Sequence, residues 1–61
     1  MTLDEIRHEA PDGSDRRLVL ADGPLDLRGV KVGTAFVLGH DPDGLRWAVH
    51  PSAVRAVEAV A

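Results

Sequence analysis

Three histidines, two serines and ten carboxylates are the side chains of this 61-residue chain that could do chemistry. Zinc needs three or four ligands at close range, helped by local pairs of the His-x3-His type. His8, His40 and His50 form no such pair, and Asp41 and Asp43 belong to a turn sequence. The simplest reading is a surface histidine at the end of each strand, with no metal. Ser14 follows Pro11-Asp12-Gly13 and Ser52 follows Pro51, so both read as turn or cap residues. The glycines are singly spaced, without a phosphate-cradling Gly-x-Gly-x-x-Gly. A pocket of ordinary size is also hard to build in so short a chain. No constellation for nucleophilic, acid–base or nucleotide chemistry remains, so the expectation is a non-enzyme without cofactor.

Binding is the other class of function, and charge bears on it first. Net charge is −3, whereas a non-specific nucleic-acid binder carries a basic footprint. The cations are Arg7, Arg16, Arg17, Arg28, Lys31, Arg46 and Arg55, and only Arg16 and Arg17 are adjacent. Phe36 and Trp47 are the only aromatics, too few for a base-stacking platform. Nucleic acid is therefore not the expected partner. No apolar run approaches the ~18 residues of a membrane span, and Met1-Thr2-Leu3-Asp4-Glu5 does not resemble a signal peptide. Arg dominates over Lys, and Ala, Val, Gly and Asp are abundant, as in GC-rich bacterial coding. A bacterial cytoplasmic protein is expected.

The elements that position these residues follow from the turns. Pro11-Asp12-Gly13, Asp22-Gly23-Pro24, Gly33, Asp41-Pro42-Asp43-Gly44 and His50-Pro51-Ser52 come at short intervals. Pro presets φ, Asp bonds its own backbone, and Gly supplies φ > 0. The segments between them are short, which predicts a small all-β sandwich or barrel over residues 1–61 as one domain. Arg17–Ala21 reads as a strand and Pro24–Arg28 as a short edge segment. In Gly29–Gly33, Val30 and Val32 flank a solvated Lys31.

The clearest hairpin joins residues 34–40 to 45–50. Its loop fits a type I turn followed by a left-handed glycine. That loop opposes His40 with Arg46, Gly39 with Trp47, Leu38 with Ala48, Val37 with Val49, and Phe36 with His50. One face then carries Ala35, Val37, Gly39, Leu45, Trp47 and Val49, and is the expected core, with Trp47 buried over Gly39. The other carries Phe36, Leu38, His40, Arg46, Ala48 and His50. An apolar centre with a polar rim is the usual anatomy of an interface. These six are the candidate binding residues, for a protein partner or a second copy. The competing reading folds the C-terminal segment, through Val54, Val57 and Val60, over the same face.

Both ends admit two readings. Thr2-Leu3-Asp4-Glu5 matches a capping box, with Leu3, Ile6 and Ala10 on one helical face. Alternatively residues 3–10 pair with 16–21 as a first hairpin, because Ala10-Pro11-Asp12-Gly13 resembles the second turn; the strand is preferred. Val54, Val57 and Val60 suit a helix capped by Ser52, or one turn at 51–54 followed by a short strand.

The run Trp47-Ala48-Val49-His50-Pro51-Ser52-Ala53-Val54-Arg55-Ala56-Val57 resembles the end of an SH3-like barrel, where a strand enters a short helical turn and a final strand. The resemblance implies a small barrel of about five short antiparallel strands, with a short helical turn or helix near the C-terminus. Tyrosine is absent, and Pro51 is the one ligand-surface position that carries over. It therefore implies a non-catalytic interaction or accessory module, not polyproline binding. Leu18-Val19-Leu20, Gly29-Val30-Lys31-Val32-Gly33, Ala35–Leu38 and the 41–44 turn are also similar in order to AbrB- and MazE-type swapped-hairpin regulators. Those are obligate DNA-binding dimers, transcriptional regulators or antitoxins, with a helix after the first strand. Here that helix would contain Gly23 and Pro24, which oppose it.

Overall fold

The computed structural model describes residues 1–60. Its N-terminal segment is helical: α1 runs Leu3–Glu9. Glu5 N–H donates to Thr2 Oγ1 at 3.2 Å, and Thr2 N–H donates to Glu5 Oε1 at 2.8 Å. This reciprocal cap satisfies two donors that a helix start otherwise leaves unpaired. Ile6 and Ala10, four apart, are fully buried. Leu3 packs against the same core. Residues three apart share a helical face but point to opposite faces of a strand, which is why the preferred strand reading of residues 3–10 fails. Pro11-Asp12-Gly13, with Gly13 at φ +83°, links helix to sheet instead of closing a hairpin.

Five strands follow: β1 (Arg16–Leu20), β2 (Gly23–Val32), β3 (Val37–His40), β4 (Arg46–Val49) and β5 (Val54–Ala59). A one-turn 3-10 helix at Pro51–Ala53 precedes β5, so the turn-then-strand reading of the C-terminal segment holds. The short α-helix lies near the N-terminus, not the C-terminus. The sheet order is β4-β3-β2-β1-β5, antiparallel throughout.

β2 is one long central strand, not an edge segment followed by a second piece. Its first half pairs with β1 (Leu18 opposite Leu25) and its second with β3 (Val32 opposite Val37). The switch falls at a bulge between Arg28 and Lys31, where Gly29 has φ +59°. A glycine in the left-handed region is the usual way to insert an extra residue into a strand. One consequence is positional. Arg28 and Lys31, three residues apart, both come to face outward, opposite His40 and Leu38.

Leu18, Leu27, Val30, Val32, Val37, Val49 and Val54 join Ile6 and Ala10 in one core. No helix of the described residues is long and apolar enough to cross a membrane. The segment between β1 and β2 is a tight turn at Ala21–Asp22. It holds no helix of the kind a swapped-hairpin regulator carries there.

Candidate functional site

The β3–β4 hairpin forms in the register its turn dictates. Val37 opposes Val49, Leu38 Ala48, Gly39 Trp47, and His40 Arg46. Gly44 N–H donates to Asp41 O, Asp41 N–H donates to Leu45 O, both at 2.9 Å, and Gly44 has φ +85°. The ladder itself is shorter than residues 34–50, because Gly33 N–H turns back onto Phe36 O at 2.9 Å.

The inner face is only partly a core. Val37, Gly39 and Val49 are buried, but Ala35, Leu45 and Trp47 are exposed, Trp47 to 42%. β4 is the edge strand, so nothing packs beyond its indole. Trp47 Nε1–H instead donates to Asp41 Oδ2 at 2.9 Å, while Asp41 Oδ1 accepts from Asp43 N–H and Leu45 N–H. These bonds, led by the one from Trp47, hold the Asp41 carboxyl below its ordinary pKa. Gly39 is required not by Trp47 but by Leu27, whose Cβ would lie 3.1 Å from a Cβ at that position.

All six candidate binding residues are exposed on the other face. Leu38 (40% exposed) and Ala48 lie side by side at its centre, with His40 and Arg46 as the next pair. Phe36 meets His50 edge to face, ring centroids 6.0 Å apart. His50 is also structural: its Nδ1 lies 2.7 Å from Ser52 Oγ and accepts from Ser52 N–H, capping the 3-10 turn. The C-terminal segment does not cover this face. β5 pairs with β1 at the far edge of the sheet, and Val54 enters the core.

Two further residues belong to the face and were not among the candidates. Arg28 and Lys31, both exposed, complete its two rows as Arg28–His40–Arg46 and Lys31–Leu38–Ala48. Gly29 was the only local signal for them. A shallow groove runs between Gly29, Lys31, Leu38, His40, Arg46 and Ala48.

The remaining chemistry-bearing residues are dispersed. His8 lies on α1, and Ser14 is held in the 11–14 turn by its bonds to Pro11 O. Among the described residues no three His, Cys, Asp or Glu side chains gather as metal ligands do. Compared with known proteins, the chain matches no family model, no curated protein and no solved structure at a significant level.

Proposed function

We propose that the chain is a small SH3-like β-barrel and a non-catalytic protein-interaction or accessory module. Its binding face is the outer side of β3 and β4 with the second half of β2. The barrel reading is supported by the order of elements: a long β2 bent at Gly29 and shared by two partners, and a 3-10 turn feeding a last strand that returns to β1. The observation that carries the function is the exposure of Phe36, Leu38 and Ala48 together, rimmed by His40, Arg46 and His50. A bacterial cytoplasm is the setting we infer, from composition and patterning alone.

A photoreactive residue at position 48 tests the reading inside cells. The expected product is a discrete polypeptide adduct that is absent when the label sits at Arg55 on β5. Leu38→Glu leaves the circular dichroism spectrum unchanged and removes the adduct. Equal labelling from both positions, or unfolding by Leu38→Glu, overturns the reading. The second reading, a dimeric DNA-binding regulator, has one observation in its favour, the three cations Arg28, Lys31 and Arg46 on this face. A nuclease-sensitive adduct would put it first.

A further inference from the structure

Charge is unevenly shared in this acidic chain. The binding face carries three of the seven cations, Arg28, Lys31 and Arg46. The rest of the chain therefore sets four cations against ten acids, a net −6. No carboxylate occupies either row of the face. Asp15 reaches Arg28 from outside it, at 3.9 Å, and is shared with Gly29 N–H. Among the described residues, Lys31 and Arg46 have no carboxylate within ion-pair distance. Asp41 borders the face at the hairpin end, but its oxygens are taken by Asp43, Leu45 and Trp47.

The backbone adds a second observation. Asp41 and Leu45 form a hydrogen-bonded pair at the hairpin end. Bonded and non-bonded pairs alternate along an antiparallel ladder, so Gly39 bonds Trp47 across β3 and β4. The N–H and C=O groups of Arg46 and Ala48 then project from the outer edge of β4. Among the described residues, none of the hydrogen bonds outside the ladders uses them. An edge of this kind is a template for an added strand.

We propose that this face takes an extended acidic segment of a partner protein. The segment adds as a strand along β4, lays carboxylates over Lys31, Arg46 and Arg28, and seats an apolar side chain against Leu38 and Ala48. The proposal rests on the protein-interaction reading and specifies the partner's chemistry. A second copy fits less well, since pairing β4 with itself would double the positive charge on one continuous face. Nucleic acid fits less well too. It has no use for the free strand edge, and the −6 remainder of the chain repels a polyanion.

The test titrates the isotopically labelled protein with a short blocked peptide in which glutamate alternates with valine. Its lysine counterpart and a version N-methylated at alternate positions are the controls. Expected are shifts at Lys31, Leu38, Arg46 and Ala48, slowed amide exchange at Arg46 and Ala48, and weaker binding in high salt. Lys31→Glu with Arg46→Glu should weaken binding by about tenfold or more. Ala48→Pro should abolish strand addition while sparing the bonds to β3, because proline is tolerated where an edge N–H faces solvent. If that variant does not fold, the N-methylated peptide reports the same loss. Equal binding of the lysine or N-methylated peptide overturns the proposal. So do shifts along β5, tighter binding of duplex DNA, self-association through the same residues, or no shift at millimolar peptide. If the proposal falls while the position-48 polypeptide adduct persists, the interaction reading stands and only the acidic-strand specificity is lost.

Discussion

The two outer faces of this sheet share the strand β2 and treat charge in opposite ways. On the face of β5, β1 and the first half of β2, Arg17 lies between Asp26 and Glu58. Its Nε reaches Asp26 Oδ1 at 2.6 Å and its Nη2 reaches Oδ2 at 3.2 Å. Val19, Ala56 and Pro24 fill the next row. On the face of β3, β4 and the second half of β2, three cations surround Leu38 and Ala48 with no carboxylate among them. One face is neutralised by its own residues. The other holds apolar area beside positive charge, two of its three cations, Lys31 and Arg46, lacking an ion-pair partner among the described residues. Exposure alone does not separate the two faces. The difference lies in whether each polar group is answered from within.

The largest expected effect tests whether the halves differ in their dependence on packing. Leu18→Ala, at a fully buried site on β1, should cost ~2–5 kcal/mol in urea unfolding. Leu38→Ala on the open face should cost less than about 1 kcal/mol. Equal costs would erase the distinction. Next comes the bulge that builds the open face. Nothing lies within 4 Å of a Cβ at Gly29, so Gly29→Ala should cost about 1–2 kcal/mol from its left-handed backbone alone. Amide shifts at Lys31 and Leu38 would report any change of register.

A smaller effect concerns the neutralised face. The Arg17 guanidinium holds the Asp26 carboxyl below its ordinary pKa. A carboxyl depressed in the folded state adds stability above its unfolded pKa of about 3.9, and that stability is lost as pH falls through the folded value. Arg17→Ala should raise the Asp26 pKa in a carboxyl-resolved NMR titration and make stability less sensitive to acid. The change in stability should be slight and salt-dependent, because the pair is accessible to solvent. The smallest effect is local to the hairpin end. Trp47 is the sole tryptophan, and its indole bond to Asp41 makes its fluorescence a probe of that carboxyl. Emission should titrate with a midpoint below the ordinary ~3.9 of aspartate, and Asp41→Asn should abolish the titration.

What was legible in the sequence was local. The Asp41–Gly44 turn fixed the β3–β4 register, and with it the shared face of the six candidate residues. The alternation of Val30, Lys31 and Val32 was equally plain, whereas the turn before the last strand was one of two readings that the valine spacing left open. Three misreadings share one physical origin. Asp22-Gly23-Pro24 read as a turn and Pro24–Arg28 as a segment separate from Gly29–Gly33, yet Pro24 lies where β2 pairs on one side only and Gly29 bends a continuous strand. Trp47 was given the right face but the wrong depth, because register says nothing about whether a strand lies at the edge. Arg28 and Lys31 joined the candidate face through the β2–β3 pairing, which no local pattern encodes, and through a bulge that Gly29 alone signals. The N-terminal helix differs: the capping box and the Leu3–Ile6–Ala10 spacing were visible, and the likeness of two Pro-Asp-Gly turns outweighed them.

The ladder between β1 and β5, which joins Arg16 to Ala59 and Leu20 to Val54, sets an order in time. Hairpins such as β3–β4 close in about 1–10 μs, whereas a ladder between distant segments must first overcome the entropy of closing a long loop. The expected slowest step of folding is then the return of the last strand. The β3–β4 edge and its cations are assembled before the core behind them is sealed. During that interval the acidic remainder of the nascent chain is the nearest complement to the face. A transient non-native contact between the two would slow folding at low ionic strength and vanish with added salt.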